Sequence, residues 1–356
     1  MQEEGAEKKM RSTVVCVTGG AGYIGSWLVR KLLGRGCVVH ATLTNLEDDK
    51  KAGLLRALPG AAERLRLFQA DMYDASTPTP SSRPSRGASS SSSSPRRWCT
   101  TPPAPRVLHG QYKNTTEATV DAARIILRQC ERSGTVRRVI YTASVTAASP
   151  LREGGGGYKD FINESCWTPL DLSYGFTNVH LDAYVWSKTL SEKELLRYND
   201  DESSSRRAFE VVSLVCALVG GDTIQPHLWS SIPVMVAPLT GHAAHHNSLL
   251  FMQALLGSVP LAHVEDVCEA HAFCMDQPAM AGRFLCAAGY PNMRDILGRF
   301  AARFPDIKIR LQQVTGEGVR VRADTSKLED LGFRYRYGAE ETLGGSVECA
   351  KRLGEL

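Results

Sequence analysis

The chain has 356 residues, a formal net charge of +4 at pH 7 and 43% hydrophobic residues. This length suits one large domain or two modest ones, and this apolar content supports a hydrophobic core. The sequence has no long basic run of the kind that follows a nucleic acid, so we expect no nucleic-acid partner. Residues 1–11 are charged, and no apolar stretch is long enough to span a membrane. We therefore expect no signal peptide and a cytoplasmic location.

The cysteines and histidines carry no metal-binding pattern. The ten cysteines are scattered and none forms a Cys-x-x-Cys pair, which is typical of reduced, mostly buried thiols. The histidines of residues 241–246 have no cysteine or carboxylate neighbour at ligand spacing. We expect no metal site.

Residues 14–25, VVCVTGGAGYIG, predict a strand, a glycine-rich turn and the start of a helix. In this pattern Gly19 allows a tight turn, Gly22 lets the backbone approach a pyrophosphate, and Gly25 lets the helix pack closely on the strand. A phosphate at the helix N-terminus is favoured by the free N–H groups and the helix dipole. A purely structural turn is the alternative. The residues predicted to bind a dinucleotide here are Thr18, Gly19, Gly22, Tyr23, Ile24 and Gly25.

The tip of the second predicted strand, residues 37–43, bears on which dinucleotide binds. An acidic residue there holds the ribose 2′-hydroxyl of NAD, whereas an Arg holds the 2′-phosphate of NADP. This chain has Thr44 and Asn45 at that place. Lys51 follows and could reach a phosphate, or could simply belong to a solvated helix start. We expect NADPH, with NAD possible, and assign Thr44 and Lys51 to the cofactor site.

A third strand is predicted at residues 65–68, and Asp71 and Met72 follow it where the adenine usually lies. Residues 76–110 then consist almost entirely of Ser, Pro, Arg, Thr and Ala, with six consecutive serines at 89–94. A fourth buried strand is due in this stretch, and we expect it to be missing. One interpretation is a disordered insertion. The other is a shifted reading frame, since TCN serine codons read from their third base become NTC codons for Phe, Leu, Ile or Val.

The catalytic prediction comes from residues 136–188. A strand at residues 136–141 leads to Ser144, and a helix starting near Leu181 carries Tyr184 and Lys188 four residues apart, on one face. A free tyrosine has a pKa of about 10, which a nearby ammonium lowers. Tyr184 is therefore the predicted proton donor, Lys188 its activator and Ser144 the anchor of a substrate carbonyl. The alternative for the Tyr–Lys pair is a surface pair.

With these motifs the chain resembles the extended short-chain dehydrogenases/reductases, and most of all the plant anthocyanidin, dihydroflavonol and cinnamoyl-CoA reductases. The anthocyanidin-reductase-like branch is the most similar. The resemblance covers about residues 12–75 and 111–356. Its motifs are residues 18–25 (TGGAGYIG), 136–144 (VRRVIYTAS), 182–193 (DAYVWSKTLSEK) and 263–271 (HVEDVCEAH).

The resemblance implies an α/β fold, a doubly wound parallel sheet with a smaller C-terminal substrate lobe. We expect residues 1–11 to be a disordered lead and 12–220 the nucleotide-binding domain, with 76–110 aberrant. Residues 221–356 form mainly the substrate lobe, with 260–275 returning to the nucleotide fold. The implied activity is NADPH-dependent reduction of a flavonoid or phenylpropanoid, by a monomer or homodimer.

The chain also departs from these reductases. Their usual Arg is replaced by Thr44, and the Asn with which dihydroflavonol reductases grip the flavonoid ring is replaced by Ser149. The second change argues against a dihydroflavonol substrate. Two other functions stay open: an epimerase or dehydratase that uses bound NAD, and a degenerate nucleotide-binding protein without activity.

Overall fold

The computed structural model describes residues 13–70, 97–101, 112–200 and 208–356, and of residues 97–101 the backbone alone. The lead at residues 1–11 and the predicted cofactor residues Asp71 and Met72 lie outside this part of the chain. No described helix is long and apolar enough to cross a membrane.

The strands follow the alternation of apolar segments along the chain. They are β1 Val14–Val17, β2 Val38–Leu43, β3 Leu65–Gln69, β4 Arg97–Thr101, β5 Val136–Ser144, β6 Phe161–Ile162, β7 Glu210–Cys216, β8 Leu218–Gly220, β9 Leu261–His263, β10 Gly282–Cys286 and β11 Arg322–Ala323.

The helices are mostly amphipathic and lie between the strands. They are α1 Tyr23–Gly34, α2 Asp49–Arg56, α3 Ala61–Arg64, α4 Thr115–Ser133, α5 Val179–Asp200, α6 Ile232–Met235, α7 Ala237–Thr240, α8 Ala243–Leu256, α9 Val264–Asp276, α10 Met293–Arg303, α11 Ser326–Asp330 and α12 Ala339–Arg352. A short 3-10 helix, Val145–Ala147, directly follows β5.

The central sheet has seven strands in the order β10-β7-β5-β4-β1-β2-β3. The pairings of β3 with β2, β2 with β1, β1 with β4, and β4 with β5 are all parallel. The order 3-2-1-4-5, with helices between successive strands, is that of a doubly wound dinucleotide-binding sheet. The predicted fold class is confirmed.

The expectation that the fourth strand is missing is wrong. β4 lies between β1 and β5, with Val14 opposite Arg97 and Val17 opposite Thr100. Sheet hydrogen bonds come from the backbone, so a segment without an apolar pattern can fill a strand position when two neighbours flank it. The reading-frame hypothesis for residues 76–110 concerns the gene rather than the backbone, and it stays a prediction.

The chain divides into two compact units that are interleaved along the sequence rather than joined near residue 220. The first comprises Met1–Thr142, Leu190–Ser213 and His271–Gly282, and the second comprises Ala143–Thr189, Leu214–Ala270 and Arg283–Leu356. The predicted boundaries, residues 12–220 for the nucleotide-binding domain and 221–356 for the substrate lobe, describe function rather than compactness and stay a prediction. Sequence order cannot reveal such an interleaving, because parallel strands bring together segments that are far apart in the chain.

In the first unit, helix α1 is held by burial of one face. Trp27, Leu28, Val29, Leu32 and Leu33 are all buried, at spacings that place them towards the sheet. In the second unit, the small sheet of β8 and β9 packs against α12, and the side chains of both strands are buried. Every cysteine whose side chain is described is buried and free of a disulfide.

Candidate active site

The glycine-rich turn after β1 has the backbone that the sequence predicts. Gly19 has a φ of 65°, in the left-handed region, and its carbonyl accepts a hydrogen bond from the Gly22 amide at 2.9 Å. A Cβ on Gly25 would lie 2.3 Å from the Gly19 oxygen. Gly25 is therefore a packing glycine, as predicted, because a larger residue there would collide with the turn itself.

Thr42 and Gly20, which the glycine pattern does not single out, also fix this turn. The Thr42 hydroxyl of β2 accepts from the Gly19 amide at 3.3 Å, and the Thr42 carbonyl accepts from the Gly20 amide at 3.0 Å. A Cβ on Gly20 would approach Ala41 to 2.8 Å. The second glycine of the TGG segment therefore serves close packing on β2, a role that the three-glycine pattern does not reveal.

The start of α1 has no side-chain cap for its first backbone N–H groups. Gly22 is the N-cap, no side chain caps the helix, and its first turn contains no acidic residue. Most helices satisfy these N–H groups with a Ser, Thr, Asp or Asn cap, and a phosphate can take that place. Of the other predicted residues, Tyr23 is 3% exposed, whereas Thr18 and Ile24 are partly buried. The turn therefore fits the pyrophosphate of a dinucleotide.

The tip of β2 offers few groups that could bind a 2′-phosphate. Thr44 and Asn45 are exposed, and the Asn45 side-chain oxygen accepts from the Glu47 amide at 2.9 Å. Lys51 is exposed, and its Nζ lies 2.8 Å from a carboxylate oxygen of Asp48, the N-cap of α2. This ion pair also lowers the pKa of Asp48, through its hydrogen bonds with Lys51. Of the two residues assigned to the cofactor site here, Thr44 is exposed at the tip of β2, whereas Lys51 is already paired with Asp48.

The three predicted catalytic residues all lie in the second unit. Ser144 ends β5 and is 9% exposed, and its side chain is hydrogen-bonded to Tyr184 of α5. Lys188 is 2% exposed, and its Nζ lies 5.9 Å from the centre of the Tyr184 ring. Tyr184 and Lys188 therefore share one face of α5, as the spacing predicts, and Lys188 is buried rather than part of a surface pair.

The direction of the tyrosine pKa differs from the prediction. Burial raises the pKa of Tyr184 above its ordinary value, and the hydrogen bond with Ser144 opposes that rise. Burial dominates because an apolar surrounding disfavours the charged phenolate more than one hydrogen bond favours it. A raised pKa favours the neutral phenol, which is the form that can donate a proton.

The segment after Ser144 is anchored by residues that the sequence did not indicate. Ser144 caps the 3-10 helix, and its Oγ lies 2.9 Å from the hydroxyl of Thr146. The Thr168 hydroxyl donates to the Thr146 carbonyl at 2.6 Å, and the buried Arg283 of β10 donates to the Ala147 carbonyl at 3.0 Å. Arg283 comes from a distant part of the chain, so no local pattern could have identified it.

Ser149, the position of the flavonoid-gripping Asn, is completely buried. Its hydroxyl donates to the Leu255 carbonyl at 2.6 Å and accepts from the Leu151 amide at 3.1 Å. The amide of Ser149 donates to the Thr168 hydroxyl at 2.9 Å. This side chain joins the loop to α8, so it is committed to backbone partners rather than to a ligand.

Within the described ranges, histidines and carboxylates do not assemble into a metal centre. Among the residues that the structure describes, no group of three or more His, Cys, Asp or Glu side chains could hold a metal ion. His242 and His245 stack with ring centres 4.0 Å apart, and burial lowers the pKa of His245, with His242 adding to the effect.

The chain is similar in sequence to known proteins. The family model described as GDP-mannose 4,6 dehydratase matches residues 16–79. A putative anthocyanidin reductase of Ginkgo biloba is 30% identical over 351 residues, which is 97% of this chain and 96% of that protein.

Two solved structures share the fold over nearly the whole chain. The crystal structure of vestitone reductase from alfalfa (Medicago sativa) has a TM-score of 0.71 and 27% identity, covering 96% of this chain and 99% of that one. The structure of the yeast methylglyoxal/isovaleraldehyde reductase Gre2, complexed with NADPH, has a TM-score of 0.72 and 18% identity, covering 97% and 100%. The chain is an NAD(P)-dependent oxidoreductase acting on carbonyl or hydroxyl groups, and it belongs to the extended short-chain dehydrogenases/reductases, in the group of plant anthocyanidin and dihydroflavonol reductases.

Proposed function

We propose that this protein is an NADPH-dependent reductase of a flavonoid-type or related carbonyl substrate. The observation that carries the proposal is the arrangement of Ser144, Tyr184 and Lys188 in the second unit: a neutral phenol, hydrogen-bonded to a serine and close to a buried lysine. A proton donor, a hydrogen-bond donor for a carbonyl oxygen and a positive charge are the groups that carbonyl reduction requires.

Each of the three residues has a separate role in this proposal. Tyr184 gives its phenolic proton to the substrate oxygen, and its raised pKa keeps that proton in place until the reaction. Ser144 donates a hydrogen bond to the same oxygen. The Lys188 ammonium stabilises the phenolate that forms, because an opposite charge nearby favours the ionised form. A nicotinamide dinucleotide, when bound, supplies the hydride.

The turn at residues 18–25 is the proposed pyrophosphate site, with Thr18, Tyr23 and Ile24 beside the three pattern glycines. The uncapped N-terminus of α1 supports this assignment. NADPH is proposed over NADH with Thr44 offering an exposed hydroxyl at the tip of β2 and Lys51, which would have to leave Asp48, as the cation for the 2′-phosphate. Yeast Gre2, which shares the fold, was solved with NADPH, and this adds support.

The substrate class rests on the relatives. The Ginkgo biloba relative is named a putative anthocyanidin reductase, and the alfalfa relative is a vestitone reductase. The buried, satisfied Ser149 supports a substrate other than a dihydroflavonol, because no Asn side chain is available at that place. An anthocyanidin or an isoflavanone is therefore the first substrate to try.

The test is Tyr184→Phe, with oxidation of NADPH followed against an anthocyanidin, an isoflavanone, a dihydroflavonol and a simple aldehyde. Loss of the proton donor should lower kcat by a factor of about 10²–10⁴ while NADPH binding, measured by fluorescence, is unchanged. Because the neutral phenol is the active form, kcat should stay level from neutral pH to about pH 9 and fall only above the raised pKa of Tyr184.

The matched control is Tyr198→Phe in the same helix, where the ring stacks on Phe209 with centres 4.3 Å apart. It removes one tyrosine hydroxyl and should leave kcat unchanged. Full turnover by Tyr184→Phe would contradict the mechanism. Binding of NADPH without oxidation by any carbonyl in the panel would favour the non-catalytic alternative.

A further inference from the structure

Beside the three proposed catalytic groups, a further hydroxyl, that of Thr146, contacts Ser144. Thr146 is 6% exposed, its Oγ1 lies 2.9 Å from Ser144 Oγ, and its amide donates to the same oxygen at 3.3 Å. One residue therefore makes two contacts with the atom that is proposed to anchor the substrate carbonyl.

The direction of the hydroxyl–hydroxyl contact follows from counting donors and acceptors. A serine hydroxyl has one proton and two acceptor positions. The Thr146 amide occupies one acceptor position of Ser144. Among the described residues, Ser144 Oγ is the sole hydrogen-bond partner of Thr146 Oγ1. If Ser144 donated to Thr146, the buried Thr146 proton would be left without an acceptor, which is costly. Thr146 therefore donates to Ser144.

Two donors from Thr146 then fill both acceptor positions of Ser144. The Ser144 proton must point away from Thr146, towards the Tyr184 oxygen or a substrate oxygen. Ser144 then has no acceptor position left for the Tyr184 proton, so that proton stays available for transfer to the substrate.

We propose that Thr146 is a positioning residue that keeps Ser144 as a hydrogen-bond donor and leaves the Tyr184 proton free for the substrate. This inference rests on the proposed function, since it assigns a role within the same site. The placement of Thr146 is not incidental. Its carbonyl accepts from Thr168 at 2.6 Å, and the carbonyl of the next residue accepts from Arg283 at 3.0 Å, so the backbone that carries the hydroxyl is held on both sides.

The experiment compares Thr146→Val, Thr146→Ala and Thr146→Ser. Ala and Ser differ at this position by the hydroxyl alone, and Val keeps the shape of Thr. Val and Ala should lower kcat about tenfold, with KM and NADPH affinity within about twofold of wild type, as expected for loss of one neutral hydrogen bond that acts in the transition state. Ser should restore kcat to within about twofold.

A pH profile separates positioning from structural support. The Ser144 hydrogen bond lowers the pKa of Tyr184, so a Ser144 hydroxyl that is no longer directed should let this pKa rise. The alkaline limb of kcat should therefore move to higher pH in Thr146→Val and Thr146→Ala, but not in Thr146→Ser.

The control is Thr342→Val in α12, where a fully buried threonine donates to the Gly338 carbonyl at 2.7 Å. It also removes one buried hydroxyl and should lower the thermal midpoint about as much as Thr146→Val, without changing kcat. The proposal is overturned if the Thr146→Ala and Thr146→Ser enzymes have the same kcat and pH profile. It is also overturned if Thr342→Val loses as much kcat as Thr146→Val.

The Tyr184→Phe enzyme distinguishes a failure of the proposed function from a failure of the role of Thr146. An inactive Tyr184→Phe enzyme together with a fully active Thr146→Ala enzyme would refute only the role of Thr146. A fully active Tyr184→Phe enzyme would refute the mechanism on which that role depends.

Discussion

The turns that follow β1 and β5 are both built at the carboxyl ends of parallel strands, but they are held in different ways. The turn after β1 is held through its backbone amides: the Gly22 amide donates to the Gly19 carbonyl at 2.9 Å, and the Gly19 and Gly20 amides donate to Thr42 of the neighbouring strand β2. The segment after β5 is held by side chains from elsewhere, Thr168 and Arg283. A glycine pattern can therefore be read from the sequence, whereas a hydroxyl network depends on residues that only the fold brings together.

The largest effect should come from breaking the turn after β1 with Gly25→Val. The added Cβ would lie 2.3 Å from the Gly19 oxygen, so the turn or α1 must move. We expect destabilisation of at least about 1–3 kcal/mol in urea unfolding and loss of NADPH binding, because the phosphate donors would be displaced.

The control for that change is Gly34→Ala at the end of the same helix. A Cβ there meets no atom within 4 Å. It should be neutral or stabilise the protein by up to about 1 kcal/mol, since alanine favours helix over glycine. Equal stability and NADPH affinity in Gly25→Val and Gly34→Ala would contradict the packing role of Gly25.

The substitution Ser149→Ala, in the segment after β5, should have a smaller effect. This change leaves the Leu255 carbonyl and the Leu151 amide without a buried partner. The free energy of unfolding should fall by about 1–3 kcal/mol in urea titration.

Ser149→Asn tests the same position as a substrate contact. An asparagine is larger than the fully buried serine, so we expect destabilisation and no gain in dihydroflavonol turnover. A stable Ser149→Asn enzyme that turns over a dihydroflavonol faster than wild type would show that this loop can be reshaped locally. It would weaken the contrast between the turns after β1 and β5.

The smallest effect should come from the exposed tip of β2. Thr44→Arg adds a guanidinium at an exposed position. A charge-assisted contact with the 2′-phosphate should raise NADPH affinity by up to about tenfold and leave NADH affinity unchanged, as measured by fluorescence titration. The control is Thr44→Gln, which adds length without charge. Equal gains for both cofactors would place the 2′-phosphate elsewhere.

Much of the first unit was predictable because its signals are local. The strand at residues 14–17 and the glycine turn were placed correctly, since β-branched residues and glycines act through their own backbone. The helix carrying Tyr184 and Lys188 was also predicted, because the spacing of four residues puts two side chains on one face whatever surrounds them.

The fourth strand shows where local reasoning fails. Residues 97–101 have no apolar alternation, yet they pair with both β1 and β5. These residues take a strand position because the strands on both sides offer backbone groups for pairing. The interleaved units follow from the same cause, since the pairing of distant strands is a property of the sheet.

The sequence by itself determined the glycine turn and the shared helix face of Tyr184 and Lys188, because each depends on residue types at short spacing, and it indicated the doubly wound fold through its resemblance to the reductases. Only the tertiary structure decided that burial raises the pKa of Tyr184 and that Ser149 is committed to Leu255. Burial and hydrogen-bond partners are set by segments far away in the chain, and no local pattern encodes them.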